Sequence, residues 1–468
     1  MSNGERLGKK KFQLPHIFII LFCIVVLATI LTWIIPAGEF DMEVNENGRS
    51  VAIAGTYHHV ESNPVGIFNM FTKIYSGMLS AADITMLVFI TFSSVTFITR
   101  SGAFDGLVSW LLKVFKGNSS LALIPIFLII FGAGSSTVGM FEEWLPFIPV
   151  FAVVFIGLGY DAIVGLAVVA LGAGIGFSGA AMNPFTVAVA QSIADVPYMS
   201  GAGYRVICHV VMIIIASIML ISYAKKVKAD PTKSLVYGQD FSALMSGQNP
   251  EEVEFTTRHK LIILDLVVTL LVMVYGVIKF GWWYEQITAL FVIMAIIAAI
   301  IMRYSLNEIG NIYAEGFKDA TTAALMIGLA RAIKLVLEEG CIIHSIVYGL
   351  SIPLEHLPVW LSAVAMLVVQ TLLNFFVPSG SGQAALSMPI MAPLADVIGM
   401  TRDTAVLAFQ FGDGLSNIVW PTAYAAVMSG LANVSIDKWW KLVLKIFGVL
   451  VIAQAILLII AVLIGFGA

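Results

Sequence analysis

The chain has 468 residues, 59% of them hydrophobic and 12% charged, with a mean hydropathy of +0.95 and a formal net charge of −4. A soluble domain carries about 25% charged residues, so this chain has too little charge to cover a water-facing surface. Soluble enzymes, nucleic-acid binders and disordered proteins are excluded together. Apolar stretches near the ~20 residues that a bilayer-crossing helix needs recur from Pro15 to the C-terminus, without the alternation of a membrane β-barrel. The fold class is all-α and polytopic.

The first apolar run, Leu14 to Ile35, follows a basic start of Arg6, Lys9, Lys10 and Lys11. It is too long for a signal-peptide core and reads as a retained first helix with a cytoplasmic N-terminus. The following loop holds Glu39, Asp41, Glu43, Glu46 and Glu61 against Arg49 alone and is expected outside, which closes a first segment, 1–63. Residues 64–224 offer candidate spans at Ala82–Thr99, Ala103–Phe115, Ser119–Gly132, Asp161–Val196 and Arg205–Tyr223. The lysine-rich stretch 225–260 is expected in the cytoplasm. Between the two, the crossings must be odd in number, which makes the short Ala103–Phe115 segment cross and leaves Lys113 and Lys116 near the outside. A pair of spans fills 261–306, and 307–468 then starts on the side opposite to residue 64. Cys23, Cys208 and Cys341 lie inside apolar runs with no pairing or metal-binding pattern.

The two long segments share an ordered set of features. Gly102 and Gly340, Gly176-Phe177-Ser178 and Gly414-Leu415-Ser416, and Ala194-Asp195-Val196 and Ala432-Asn433-Val434 stand at one constant offset. An X-Pro step, Asn183-Pro184 or Trp420-Pro421, lies inside each. Two related units in opposite orientation are the mark of secondary transporters, where rocking about one central site gives alternating access.

Within each unit a Gly/Ser/Pro-rich segment interrupts apolar sequence: Gly134-Ser135-Ser136-Thr137-Val138-Gly139 with Glu142 and Glu143, and Pro378-Ser379-Gly380-Ser381-Gly382. Freed backbone groups are costly in hydrocarbon, so such segments persist when packed in protein or lining a wet cavity. They read as re-entrant hairpins over 134–158 and 378–399; ordinary solvent loops are the alternative. The Gly-rich, X-Pro segments read as helices broken in mid-membrane, over 161–196 and 403–434. A half-helix beginning at a break presents bare N–H donors with partial positive charge. Beside Ser135, Ser136, Thr137, Ser178, Asn183, Ser379, Ser381, Ser416, Asn417 and Thr422 this would bind a carboxylate; close packing through small residues is the plainer reading of the glycines.

A charge at a membrane helix centre costs about 2.5–3.5 kcal/mol on insertion scales. Glu142, Glu143, Asp413 and Arg331 therefore need a reason: either a buried Arg–carboxylate pair, or acids that accept a cation or proton and an arginine that accepts a carboxylate. Asp83, Asp161, Asp195, Arg205 and Asp403 fall near helix ends and are expected at the interface. The histidines are scattered, no HExxH occurs and no phosphate loop is present, so no metal, cofactor or ATP coupling is expected.

At Gly134–Glu143 the sequence resembles the YfcC-type basic amino-acid antiporters, the arginine/ornithine exchangers grouped with the C4-dicarboxylate anaerobic carriers in the ion-transporter superfamily. The likeness continues through Thr32–Gly38, Asn183-Pro184-Phe185, Asp230–Tyr237, Ala330-Arg331, Pro378–Gly382, Met391–Leu394 and Trp439-Trp440-Lys441. What it implies is an elevator-type carrier in the inner membrane, usually a homodimer, with hairpins and broken helices forming the site. By motif position Ser135, Ser136, Thr137, Glu142 and Glu143 map to the first hairpin, and Ser379 and Ser381 to the second. Asp413 and Trp420 depart from the pattern. The expected activity is exchange of basic amino acids. A Na⁺- or H⁺-coupled carrier of C4-dicarboxylates or short-chain acids is the first alternative; a channel is the second, and an enzyme the least favoured.

Overall fold

In a computed structural model the chain is almost wholly helical; it describes residues 15–467 apart from 45–49, 54, 115–116, 243 and 245–253. Arg6, Lys9, Lys10, Lys11, Glu46, Arg49 and Lys116, used above for orientation, lie outside the described residues. The helices are α1 (Ile17–Ile34), α2 (Ile67–Ser80), α3 (Ala82–Arg100), α4 (Ala103–Val114), α5 (Leu123–Thr137), α6 (Phe147–Gly157), α7 (Ala162–Ser178), α8 (Val187–Ile193) and α9 (Ala202–Ala229). They continue with α10 (Thr257–Phe280), α11 (Tyr284–Met302), α12 (Leu306–Glu339), α13 (Ile343–Ser351), α14 (Val359–Phe376), α15 (Gly380–Val397), α16 (Arg402–Ser416), α17 (Ala425–Leu431) and α18 (Ile436–Leu463). Between α1 and α2 two antiparallel ladders form: β1 (Gly38–Glu39) pairs with β4 (His58–His59), and β2 (Met42–Val44) with β3 (Ser50–Ala52). Among the described residues eight helical stretches are long and apolar enough to cross a membrane.

Two small-residue helices form the centre. Every residue of α7 is buried, and α16 is buried from Asp403 to Ser416. α7 packs between α5, α6 and α9, α16 between α14, α15 and α18, and the two touch each other. Contact is close because Gly414 faces α7 without a side chain: a Cβ there would lie 2.2 Å from the Ser178 nitrogen. Around this centre α12 lies along α2, α3 and α1, and α3 also packs on α11.

The structure moves several expected boundaries. Gly134–Thr137 is the last turn of α5 rather than loop, because Thr137 Oγ1 donates back to the Ala133 carbonyl at 2.7 Å and small residues let α5 lie on α7. Residues 138–146 therefore join α5 to α6 and residues 377–379 join α14 to α15, at the two places where hairpin tips are expected. α4, in the expected crossing Ala103–Phe115, has 12 residues that rise about 18 Å against the ~30 Å of a hydrocarbon core, and it is not among the eight stretches long and apolar enough to cross. Arg205 and Asp403 lie near helix ends as expected, in the first turns of α9 and α16, and there they are buried at 0% and 3% exposure and paired at 3.3 Å. Asp161 is buried too, capping α7 and accepting from Tyr223 and Ser234 at 2.6 Å each.

Candidate functional site

Both central helices break where the sequence places its X-Pro steps, between α7 and α8 and between α16 and α17, and each break frees backbone groups that must find partners. At the first, Ser136 Oγ accepts from the Ala181 N–H at 3.1 Å and its carbonyl accepts from Met182 at 3.2 Å. Asn183 turns its Oδ1 to the Phe185 N–H at 2.8 Å and donates from Nδ2 to the Ser135 carbonyl at 3.4 Å. The tip of the first hairpin thus holds the first break. Gly139 makes this approach possible: it sits at φ +81°, and a Cβ there would lie 2.6 Å from Asn183 Oδ1.

At the second break Asn374 Nδ2 reaches the Asp413 carbonyl, Ser416 Oγ and Asn417 Oδ1 at 3.0, 2.7 and 3.0 Å. The indoles of Trp439 and Trp440 donate to the carbonyls of Ile418 and Val419, both at 2.9 Å. Trp420 donates to Thr371 at 2.7 Å. Ser178 Oγ joins the two breaks, donating to the Phe411 carbonyl at 3.4 Å while accepting from Gln454 at 2.6 Å.

Where the breaks meet, a cavity of about 130 Å³ is lined by Gly139, Phe141 and Glu142 of the first tip and Pro378, Ser379, Gly380 and Ser381 of the second. Thr186, Asn417 and Tyr424 from the breaks, Tyr284 and Arg331 from α11 and α12, and the apolar Ile84, Phe177 and Phe185 complete it. Glu142 accepts a short hydrogen bond from the Tyr424 hydroxyl, and Tyr284 faces the same carboxylate. Arg331 acts on Glu142 through space, yet among the described residues it closes no ion pair with any acid. The expected buried Arg–carboxylate pair exists in this fold, but at Arg205–Asp403. Ser379 caps α15, so that helix directs its first N–H groups toward the cavity. A wider opening of about 480 Å³, bordered by Glu39, Lys334, Glu338 and His344, lies nearby, and Lys334 and Arg331 both line a narrow space of about 30 Å³.

Of the residues singled out in the sequence, Glu142, Arg331, Ser379, Ser381 and Asn417 line the cavity. The others stand behind it. Ser135 donates to the Met140 carbonyl at 2.5 Å and accepts from the Trp144 indole at 3.0 Å. Glu143 is buried and closes on its own tip, accepting from the Phe141 N–H at 3.0 Å. Ser136, Asn183, Ser178 and Ser416 serve the breaks, and Thr137 bonds within α5. Thr422 is buried with no hydrogen-bond partner for its hydroxyl among the described residues, and both oxygens of Asp413 are likewise without one. Tyr284, Tyr424 and Thr186 escaped the sequence reading, since a tyrosine or threonine in an apolar run carries no signal of its own. The placement of Tyr424 four residues after Trp420 was the available clue.

The chain matches the C4-dicarboxylate anaerobic carrier family, DcuC, over residues 14–463. It is 32% identical to an uncharacterized protein of Haemophilus influenzae, covering 97% of this chain and 98% of that one. It is 30% identical to an Escherichia coli protein provisionally named basic amino acid antiporter YfcC, covering 98% of each. Among solved structures it is similar to Neisseria gonorrhoeae MtrF, described as one of a class of antimetabolite efflux pumps, at 17% identity and TM-score 0.45, over 98% of this chain and 96% of that one. With a multi-span helical fold and a family match over nearly its whole length, this chain belongs to the C4-dicarboxylate anaerobic carrier family of membrane transporters, in its YfcC-type branch.

Proposed function

We propose that the chain is a secondary carrier that exchanges basic amino acids, arginine- or ornithine-like, across the cytoplasmic membrane. The observation that carries this reading is the pair Glu142 and Arg331: an acid and a base facing one small cavity, with no ion pair between them among the described residues. An amino acid supplies the complement of both. Its carboxylate meets Arg331, the hydroxyls of Ser379 and Ser381 and the N–H end of α15, where a helix favours negative charge. Its cationic end meets Glu142, held in place by Tyr424. The name of the Escherichia coli relative supports a basic cargo. One-for-one exchange of equally charged solutes moves no net charge, so it feels none of the ~2.3 kcal/mol per 100 mV that a lone cation would.

The same proposal takes residues 64–224 and 307–468 as inverted repeats, with the N-terminus in the cytoplasm. In the first repeat α2–α3, α7–α8 and α9 each cross once. The hairpin α5–α6 returns to its own side and α4 lies along the membrane, so the crossings stay odd without α4. In the second, the 34-residue α12 takes the place of α2 and α3, which have 14 and 19 residues around Ala81; α9 and α18 match at 28 residues each. Hairpins and broken helices would move together, elevator-fashion, against α1–α3 and α10–α12, within a homodimer. The test is counterflow in proteoliposomes: arginine uptake that rises with internal ornithine supports exchange, and uptake indifferent to any internal amine refutes it.

A second reading is a cation-coupled carrier of C4-dicarboxylates or short-chain acids. Arg331, which closes no ion pair among the described residues and lines the cavity with the N-terminus of α15, favours it. Uptake inhibited by succinate and untouched by arginine would select it.

A further inference from the structure

Asp413 sits on α16 at the centre of the molecule with 0% exposure, and neither carboxylate oxygen has a hydrogen-bond partner among the described residues. An ionised carboxylate left unpaired in such a place is strongly unfavourable. Among the described residues, the helices packed most closely on α16 supply it no counter-charge. α14, α7 and α8 contain no titratable side chain, and α15 contains only Asp396, which Arg402 holds at 2.7 Å. α18 carries Asp437, Lys438, Lys441 and Lys445 in its first turns, and α16 itself begins with Arg402 and with Asp403, paired to Arg205. Among the described residues no cation closes an ion pair with Asp413.

Asp413 is nevertheless next to the cavity. Gly380 lines the cavity on one side, and on the other a Cβ at Gly380 would lie 3.2 Å from Asp413 Oδ2. Only the first residue of α15 separates the acid from space that water or a substrate would fill. Asp413 itself does not line the cavity. A metal cation needs several oxygen ligands and room for them, whereas a proton needs only the carboxylate.

We propose that Asp413 is a proton-binding site set behind the substrate cavity, and that it exchanges its proton with the cavity past Gly380. The carboxyl holds the proton on one oxygen while covered and releases it to water on the cavity side; no other bond forms or breaks. This adds a proton site to the carrier reading without depending on its substrate, and it is tested with no substrate present. Infrared difference spectra of the full-length protein in lipid nanodiscs, in sodium-free buffer, should show the C=O stretch of a protonated carboxylic acid at neutral pH. The band should shift in D₂O, bleach as pH rises, disappear in Asp413→Asn and persist in Glu142→Gln. Should Asp413→Asn fail to fold, ¹³C-aspartate labelling of the unmodified chain must move the same band. A spectrum with no such band, a band indifferent to both changes, or one bleached by sodium at constant pH overturns the proposal. Loss of arginine exchange with this band intact would count against the proposed function alone.

Discussion

In the first hairpin tip the serines are engaged by the polypeptide itself: Ser135 joins the Met140 carbonyl to the Trp144 indole, and Ser136 holds the freed backbone of the first break. In the second tip Ser379 and Ser381 face the cavity, and the freed backbone of the second break is served by Asn374 and two tryptophans instead. One composition, rich in Gly and Ser, thus produces a locked tip that presents a single carboxylate and an open tip that presents a helix N-terminus. What decides between them is the neighbour. A serine beside unsatisfied backbone is drawn into it, because a buried orphan N–H or C=O costs more than the bond gains. In the second tip Ser379 lines the cavity while its hydroxyl accepts from the Gly382 N–H at 3.4 Å, and among the described residues Ser381 is the serine left for a ligand.

Substitutions separate the two tips. The largest effect is expected at Glu142→Gln, which removes the locked tip's one cavity-facing charge: truncating one partner of a buried charge pair costs about 2–5 kcal/mol, roughly thirtyfold or more in affinity. Calorimetric titration with arginine reads it, and the melting temperature should move little. Next comes Ser135→Ala, which leaves the buried Trp144 indole unpartnered at about 1–3 kcal/mol; it should lower the melting temperature more than the affinity. Ser381→Ala reverses that order, lowering ligand affinity severalfold with no thermal shift. Thr137→Val should change neither, since that hydroxyl only returns to its own helix.

How much of this was legible in the sequence follows from the same physics. The spans were legible because hydrophobicity is additive along a chain, and the breaks because proline and glycine act locally. Gly134–Thr137 looked like loop by composition, yet folds as helix because small residues permit close packing on α7, a tertiary effect that overrides propensity. Glu142 and Glu143 are adjacent and identical in type, but one faces the cavity and the other its own backbone; a 3₁₀ turn over Glu142–Trp144 separates them, and no sequence rule does. Tyr424 meets Glu142 from the opposite unit of the chain, a pairing that only the converging breaks create.

The proposed cavity holds a cation and an anion at once, and one titration addresses it directly. Full-length protein in nanodiscs is titrated with L-arginine, with agmatine, which lacks the carboxylate, and with succinate, which lacks the amine, in parallel with Glu142→Gln and Arg331→Gln. Arginine should bind the unmodified protein more tightly than either half-ligand, and each substitution should abolish the preference at its own pole. Succinate binding as tightly as arginine, and unmoved by Glu142→Gln, would contradict the account.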